Sequence, residues 1–147
     1  MIVKNDLEDL IKAANLAGFN NVNITDLVLE HFENGENHVQ QNLDANNAGI
    51  YIFKWNERYL KVGMDNSVSG KRFKVYHYNP NSTTSNLSRS LITEPEFQAL
   101  IGDNHPGNWI RANTHRFNIL IPKRLEKNFI CFAEAFFILK CNPFFEG

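Results

Sequence analysis

Two alternating segments separated by a short turn constrain the fold of this 147-residue chain more than any other feature. In the first segment, Ile50 and Ile52 alternate with two aromatic residues, and a second alternating segment follows the polar pair at 56–57. A period of two places successive side chains on opposite faces of a strand. The pattern therefore predicts an antiparallel hairpin near the middle of the chain.

The rest of the second half combines one more strand with helices. Residues 116–121 read RFNILI and precede a proline, which predicts a third strand. Helices are expected through Arg72, around 97–101 and over 125–141, where apolar residues recur at helical spacing. The sequence therefore predicts an α+β fold with a small three-stranded antiparallel sheet flanked by helices.

The first 45 residues read as a helical N-terminal arm. A first helix begins at residue 5 or 6 and ends at Gly18. A second begins near Asp26, buries apolar residues at 27, 28 and 32, and ends near Gly35. A DNA-reading helix-turn-helix is disfavoured because the second helix is acidic and phosphate would repel it.

Charge is divided unevenly along the chain. Residues 1–45 carry two basic and eight acidic residues, whereas residues 46–147 carry thirteen basic and eight acidic ones, so the nets are -6 and +5. This asymmetry suggests a basic working surface on a domain spanning 46–147. The acidic arm could lie over that surface and inhibit it, or dock a protein partner.

Several classes of protein are disfavoured by what the sequence lacks. It has no apolar run of about 18 residues and no secretory leader, so we expect a cytoplasmic protein with no membrane contact. Cys131 and Cys141 are ten residues apart on one expected helix, roughly 15 Å, which is too far for a disulfide. The five histidines match no tight zinc spacing.

Three sets of residues suggest chemistry. Glu134 lies within an apolar helix, where a carboxylate is costly unless it is paired or metal-bound, although that side of the helix could also face solvent. Tyr51 and Lys61 share a face of the hairpin if its loop has an odd number of residues, and lie on opposite faces if the number is even. Arg72 begins a basic and aromatic segment that suits nucleic acid, or a solvated helix face.

In their order and spacing, these motifs resemble the GIY-YIG nuclease domain. Gly49-Ile50-Tyr51 is the first half of the family's name motif, and Lys61-Val62-Gly63 lies where the Tyr-Ile-Gly half belongs. Arg72 falls close to the family's catalytic arginine, and Glu134 matches its metal-binding glutamate on a late helix. The resemblance spans roughly residues 48–146, with an apparent insertion at 79–115.

The resemblance implies an endonuclease that hydrolyses phosphodiester bonds in DNA, or alternatively RNA, with one Mg²⁺ or Mn²⁺ held by Glu134. The implied catalytic residues are Tyr51, Lys61, Arg72, His77 and Glu134. The candidate substrate-binding residues are Lys71, Lys74, Tyr76, Arg89, Arg111 and Arg116. Trp109 and His115 are further candidates, although Trp109 could equally belong to the hydrophobic core. Either Tyr76 or His77 would occupy the position where family members carry a histidine or tyrosine.

Two departures from the family pattern favour an alternative. Lys61 replaces the tyrosine of the second motif, and Glu146 occupies the position of an asparagine that often ends the family's domain. The alternative is a catalytically decayed module of the same fold that binds nucleic acid or a protein partner.

Overall fold

The computed structural model describes residues 1–36, His38, 42–83 and 85–145. Its strands are β1 (Val28–Phe32), β2 (Asn47–Trp55), β3 (Arg58–Asp65) and β4 (His115–Pro122). Its α-helices are α1 (Lys4–Leu16), α2 (Lys71–Lys74), α3 (Leu87–Thr93), α4 (Pro95–Ile101), α5 (Pro106–Asn113) and α6 (Lys127–Cys141). Short 3₁₀ turns occupy Ile24–Asp26 and Tyr76–Tyr78. In this described part of the chain, no helix has the length and apolar character that crossing a membrane requires.

The α+β class is confirmed, but the sheet has four antiparallel strands rather than three, in the order β1-β4-β2-β3. The additional strand is β1, so the prediction of a second N-terminal helix is wrong. Only the 3₁₀ turn before β1 is helical, and β1 pairs with β4 from Val28 opposite Leu120 to Phe32 opposite Arg116. A short segment is a marginal helix by itself, and pairing with β4 overrides its helical pattern.

The predicted hairpin is present, and a bulge sets its register. The connection has two residues, at 56–57, which by itself would place Tyr51 and Lys61 on opposite faces. The register shifts along the strands, so that Phe53 pairs with Lys61 and Tyr51 pairs with Gly63. One additional residue in β3 restores the odd register. Tyr51 and Lys61 therefore share a face of the sheet.

Helices cover both faces of the sheet. Ile50 and Ile52 point into a core formed with α1 and α6, whereas Tyr51 and Phe53 point into a second core formed with α2 to α5. Helices α3, α4 and α5 come from residues 79–115, the apparent insertion. The insertion thus supplies most of the helical cover on the second face.

The N-terminal residues belong to the same core as the sheet. Leu7 and Leu10 of α1 are buried in the cluster that contains the apolar residues of α6. Lys140 near the end of α6 pairs with Asp6 at 2.8 Å and with Asp9 at 3.6 Å. The acidic character of the first 45 residues is therefore partly matched by basic side chains of the C-terminal half.

Gly49 is required by a close contact between β2 and α2. A Cβ atom at this position would lie 2.4 Å from the buried ring of Phe73. We expect Gly49→Ala to lower the free energy of unfolding by about 1–3 kcal/mol, because the ring has no free space into which to move. Urea unfolding measures the change. Asn47→Ala, on the same strand but partly exposed, is the control and should shift stability by less than about 0.5 kcal/mol.

Candidate active site

Two adjoining cavities lie along β3, the last strand of the sheet. The first, about 350 Å³, is lined by Tyr51, Gly63 and Ser85 among others. The second, about 470 Å³, is bounded by residues of the loop after β3 and of α2. Arg72 and Glu134 line both. Because β3 is an edge strand, residues from both faces of the sheet meet here.

Tyr51 enters the first cavity across the backbone of β3. Its phenol lies over Gly63, where a Cβ atom would come within 2.4 Å of the Tyr51 hydroxyl oxygen. The ring is 1% exposed and contacts the His77 ring at a centroid distance of 4.3 Å. Burial raises the pKa of Tyr51 far above its ordinary value, although Arg72 acts in the opposite direction. The phenol is therefore neutral before any substrate binds.

Lys61 lies on the same face as Tyr51 and is 3% exposed. Burial lowers the pKa of its amine, and the positive charge of Arg72 lowers it further, while Glu134 raises it. A buried lysine in this environment reaches its neutral form more easily than an exposed one. Lys61 lines neither cavity, whereas Tyr51, on the same face of the sheet, lines the first.

Glu134 comes from the opposite side, on α6. Its neighbours Ala133 and Phe137 are buried in the first core, and the carboxylate itself is partly buried where the two cavities meet. Burial raises the pKa of Glu134, while the Met64 amide, Arg72 and Lys61 oppose the shift. No described basic side chain lies within ion-pair distance of Glu134. The carboxylate is therefore available to a cation in the cavity.

The chemistry of this donor set fits one Mg²⁺ or Mn²⁺ ion. Mg²⁺ commonly retains several water ligands and takes only one or two carboxylates plus substrate phosphate oxygens. Glu134 offers one such carboxylate, whereas the oxygens of the nearby Asp65 accept hydrogen bonds from Ser67 and from the Phe73 amide of α2. Within the described ranges, no cluster of three or more His, Cys, Asp or Glu side chains could hold a metal ion without substrate.

Asp65 is a site residue that the sequence analysis missed. It is 4% exposed and lines the second cavity. Burial favours its neutral form, but hydrogen bonds from the Ser67 side chain, the Phe73 amide and the Ser67 amide hold its pKa below the ordinary value. The available signal was an aspartate two residues before a serine in a polar loop, a spacing typical of turns closed by an aspartate side chain.

The structure separates Tyr76 from His77. Tyr76 lines the second cavity beside Arg72. His77 is fully buried, and its Nδ1 accepts a hydrogen bond from the Leu87 amide at 3.2 Å. Burial, together with the charges of Arg116, Lys61 and Arg72, holds the pKa of His77 well below its ordinary value. The ring is therefore neutral, and its Nε2 is buried without a described hydrogen-bond partner. His77 lines neither cavity, so it has no direct contact with a substrate there.

Arg116 is fully buried, which contradicts its prediction as a substrate-binding residue. Its guanidinium donates hydrogen bonds to the side chains of Asn118 and Tyr78, at 2.8 Å each, and to the Phe73 carbonyl at 2.7 Å. A guanidinium with all three nitrogens bonded inside the protein has no surface left for a substrate. Its role is structural.

Most of the other predicted substrate-binding residues lie away from the two cavities. Lys71 lines the second cavity, whereas Lys74, Arg89 and Arg111 line neither cavity. Arg111 lies over the Tyr78 ring at 4.5 Å. The further candidates are also elsewhere, with Trp109 in the second core and His115 hydrogen-bonded to His31 at 3.1 Å. Glu146 falls outside the described residues.

The N-terminal acidic residues do not reach the cavities, whose described lining residues all come from positions 51–143.

The chain matches no protein-family model, and neither a curated protein nor a solved structure matches it. Its function must therefore be argued from the site itself.

The raised pKa of Glu134 gives a stability prediction. Because burial favours the protonated carboxyl in the folded state, the contribution of Glu134 to stability is fully present below the ordinary pKa of a glutamate. That contribution is lost as pH rises through the folded-state pKa of Glu134. In EDTA, Glu134→Gln should therefore unfold at a higher temperature than wild type at pH 7, and the difference should vanish below about pH 4. Thermal unfolding at both pH values measures this. Glu8→Gln, on the exposed side of α1, is the control; an equal gain there would contradict the explanation.

Proposed function

We propose that this protein is a metal-dependent endonuclease that hydrolyses phosphodiester bonds in DNA through a site of the GIY-YIG type. The observation that supports the proposal most strongly is that Tyr51, Arg72 and Glu134, which come from a strand, a short helix and the last helix, line one cavity. A phenol, a guanidinium and a carboxylate that meet at one sheet edge are a combination that phosphodiester hydrolysis can use.

Each of the three groups has a role in the hydrolysis. Glu134 would hold the divalent cation, which when bound would supply stabilisation of the negative charge on the leaving 3′-oxygen. Arg72 binds the equatorial oxygens of the phosphoryl group and neutralises the charge that develops there. Tyr51 orients the attacking water. The water adds to phosphorus as the bond to the 3′-oxygen breaks, leaving a 5′-phosphate and a 3′-hydroxyl that takes its proton from solvent.

The water must also lose a proton, and we assign its acceptance to the Tyr51–Lys61 pair. Tyr51 by itself is a poor base because burial raises its pKa. Lys61 shares its face of the sheet and has a lowered pKa, so its neutral form is more accessible at working pH. His77 is not assigned this role, because burial and the charges of Arg116, Lys61 and Arg72 hold its pKa well below the ordinary value and make the ring a weak base.

The second cavity would hold the adjoining nucleic-acid backbone. Lys71 and Tyr76 line it together with the hydroxyl-bearing residues Ser67 and Ser69. Basic and hydroxyl side chains of this kind bind phosphate and sugar, which positions a substrate without reading its sequence. The proposal therefore includes backbone recognition but assigns no base-specific contact.

Cleavage of supercoiled plasmid and duplex oligonucleotides, with Mg²⁺, Mn²⁺ or EDTA, tests the function. We expect cutting with either metal and none in EDTA. Glu134→Ala and Arg72→Ala should each lower the rate at least about a hundredfold while DNA binding persists in a mobility-shift assay. Arg124→Ala, an exposed arginine that lines neither cavity, is the matched control and should retain the wild-type rate.

The outcomes discriminate between the candidate functions. Full cleavage by Glu134→Ala or Arg72→Ala would contradict the site assignment. A wild-type protein that binds DNA but cuts neither DNA nor RNA would favour a non-catalytic binding module of the same fold.

Lys61 provides a separate test of the proton-transfer step. Lys61→Met keeps a long side chain but removes the amine, and should lower the cleavage rate by about 10²–10⁴-fold. Lys61→Tyr supplies the residue that the resembled family carries at this position, and should retain more activity than Lys61→Met. Single-turnover cleavage rates measure both. Wild-type activity in Lys61→Met would remove Lys61 from the mechanism.

A further inference from the structure

We propose that Asp65 and Arg116 are positioning residues that fix both backbone groups of Phe73 and thereby hold Arg72 at the junction of the two cavities. This inference rests on the proposed function, because Arg72 matters only if it acts on a phosphoryl group. Asp65 lines the second cavity, but both of its carboxylate oxygens accept hydrogen bonds within the protein, and Arg116 lines neither cavity.

The need for such support follows from the length of α2. It comprises four residues, Lys71–Lys74, and the preceding Gly70 provides no side-chain cap and has φ 60°. Forming one helical turn fixes several dihedral angles for a single hydrogen bond, so an isolated turn is unstable. The position of Arg72 must therefore depend on contacts from outside the helix.

Asp65 supplies the contact on the N-terminal side. One carboxylate oxygen accepts a hydrogen bond from the Phe73 amide at 3.0 Å. The other accepts hydrogen bonds from the amide and hydroxyl of Ser67, at 2.8 and 2.6 Å. The Ser67 hydroxyl in turn accepts from the Gly70 amide at 3.1 Å. One buried carboxylate thus connects the end of β3, the loop and the first turn of α2.

Arg116 supplies the contact on the other side. Its Nη2 donates to the Phe73 carbonyl at 2.7 Å, and its guanidinium carbon lies 4.6 Å from the centre of the Phe73 ring. The guanidinium is itself held by Asn118, which donates to Glu30 of β1 at 3.0 Å. The support for α2 therefore extends across β4 to β1, the edge strand on the side of the sheet opposite β3.

Phe73 is consequently fixed at its amide, its carbonyl and its ring, which lies against Gly49. It is fully buried, while the preceding residue, Arg72, is exposed to the cavities. A displacement of about 1 Å in a catalytic group can cost about a hundredfold in rate. Fixing Phe73 restricts where the Arg72 side chain begins and the direction in which it points.

Asp65→Asn tests the inference because the amide has one acceptor oxygen where the carboxylate has two. We expect kcat for oligonucleotide cleavage to fall by about 10- to 100-fold with KM nearly unchanged. Hydrogen exchange at the Phe73 amide should accelerate by a comparable factor. Thr114→Val removes a buried hydroxyl that donates to the Ile110 carbonyl of α5, and serves as the control for general destabilisation. It should leave kcat and Phe73 exchange unchanged.

A double-mutant cycle with Arg72→Lys separates positioning from a general structural role. If Asp65 acts through Arg72, then Asp65→Asn should lower kcat much less in the Arg72→Lys background than in wild type. An equal loss in both backgrounds, or a wild-type kcat in folded Asp65→Asn, would overturn the inference. If Asp65→Asn does not fold, Ser67→Ala removes one hydrogen bond to Asp65 and should give a smaller loss of kcat in the same direction.

The inference and the proposed function fail in different ways. Absence of cleavage by wild type, with faster Phe73 exchange in Asp65→Asn, would overturn the function but leave the support of Phe73 intact. Cleavage by wild type with unchanged Phe73 exchange in Asp65→Asn would overturn the support and leave the function.

Discussion

The site depends on two places where a large side chain lies directly on a glycine of the central hairpin. Tyr51 crosses the backbone at Gly63, and the Phe73 ring packs on Gly49, each in a space that a single Cβ atom would fill. The first contact brings a phenol to the edge of the sheet, and the second brings α2 close enough for Arg72 to meet it. Gly49 and Gly63 are therefore required by packing, whether or not a ligand binds at the site.

Much of this arrangement could be predicted from the sequence because it follows local periodicity. The alternation around Tyr51 indicated the hairpin, and helical spacing around Glu134 indicated α6. β1 could not be predicted in the same way, since whether residues 28–32 form a strand depends on the exposed edge of β4, which the local pattern does not contain. The bulge in β3 could not be predicted from the sequence either. It decides that Lys61 shares a face with Tyr51, yet no residue type near the turn specifies it.

The polar residues illustrate a second limit of sequence reasoning. Arginine and histidine are common on substrate-binding surfaces, but Arg116 and His77 are both fully buried. Charge and hydrogen-bonding capacity can be read from a sequence, whereas the direction of a side chain depends on strand register and on what covers the face. Asp65 shows the converse. It was missed because a single aspartate after a strand is common, and only the positions of the Ser67 and Phe73 amides reveal its function.

Charged groups of both signs meet at the site and shift one another's pKa values. Lys61 and Arg72 lower the pKa of Glu134, and Glu134 is the carboxylate that raises the pKa of Lys61. Arg116 adds a further fixed positive charge behind Tyr51 and lowers the phenol's pKa. Two carboxylates face these cations, because Asp65 as well as Glu134 raises the pKa of Tyr51. Both oxygens of Asp65 accept hydrogen bonds within the protein, whereas the Glu134 carboxylate stays partly buried with a raised pKa. On the proposed function, a divalent cation on Glu134 would offset the cost of keeping that carboxylate ionised.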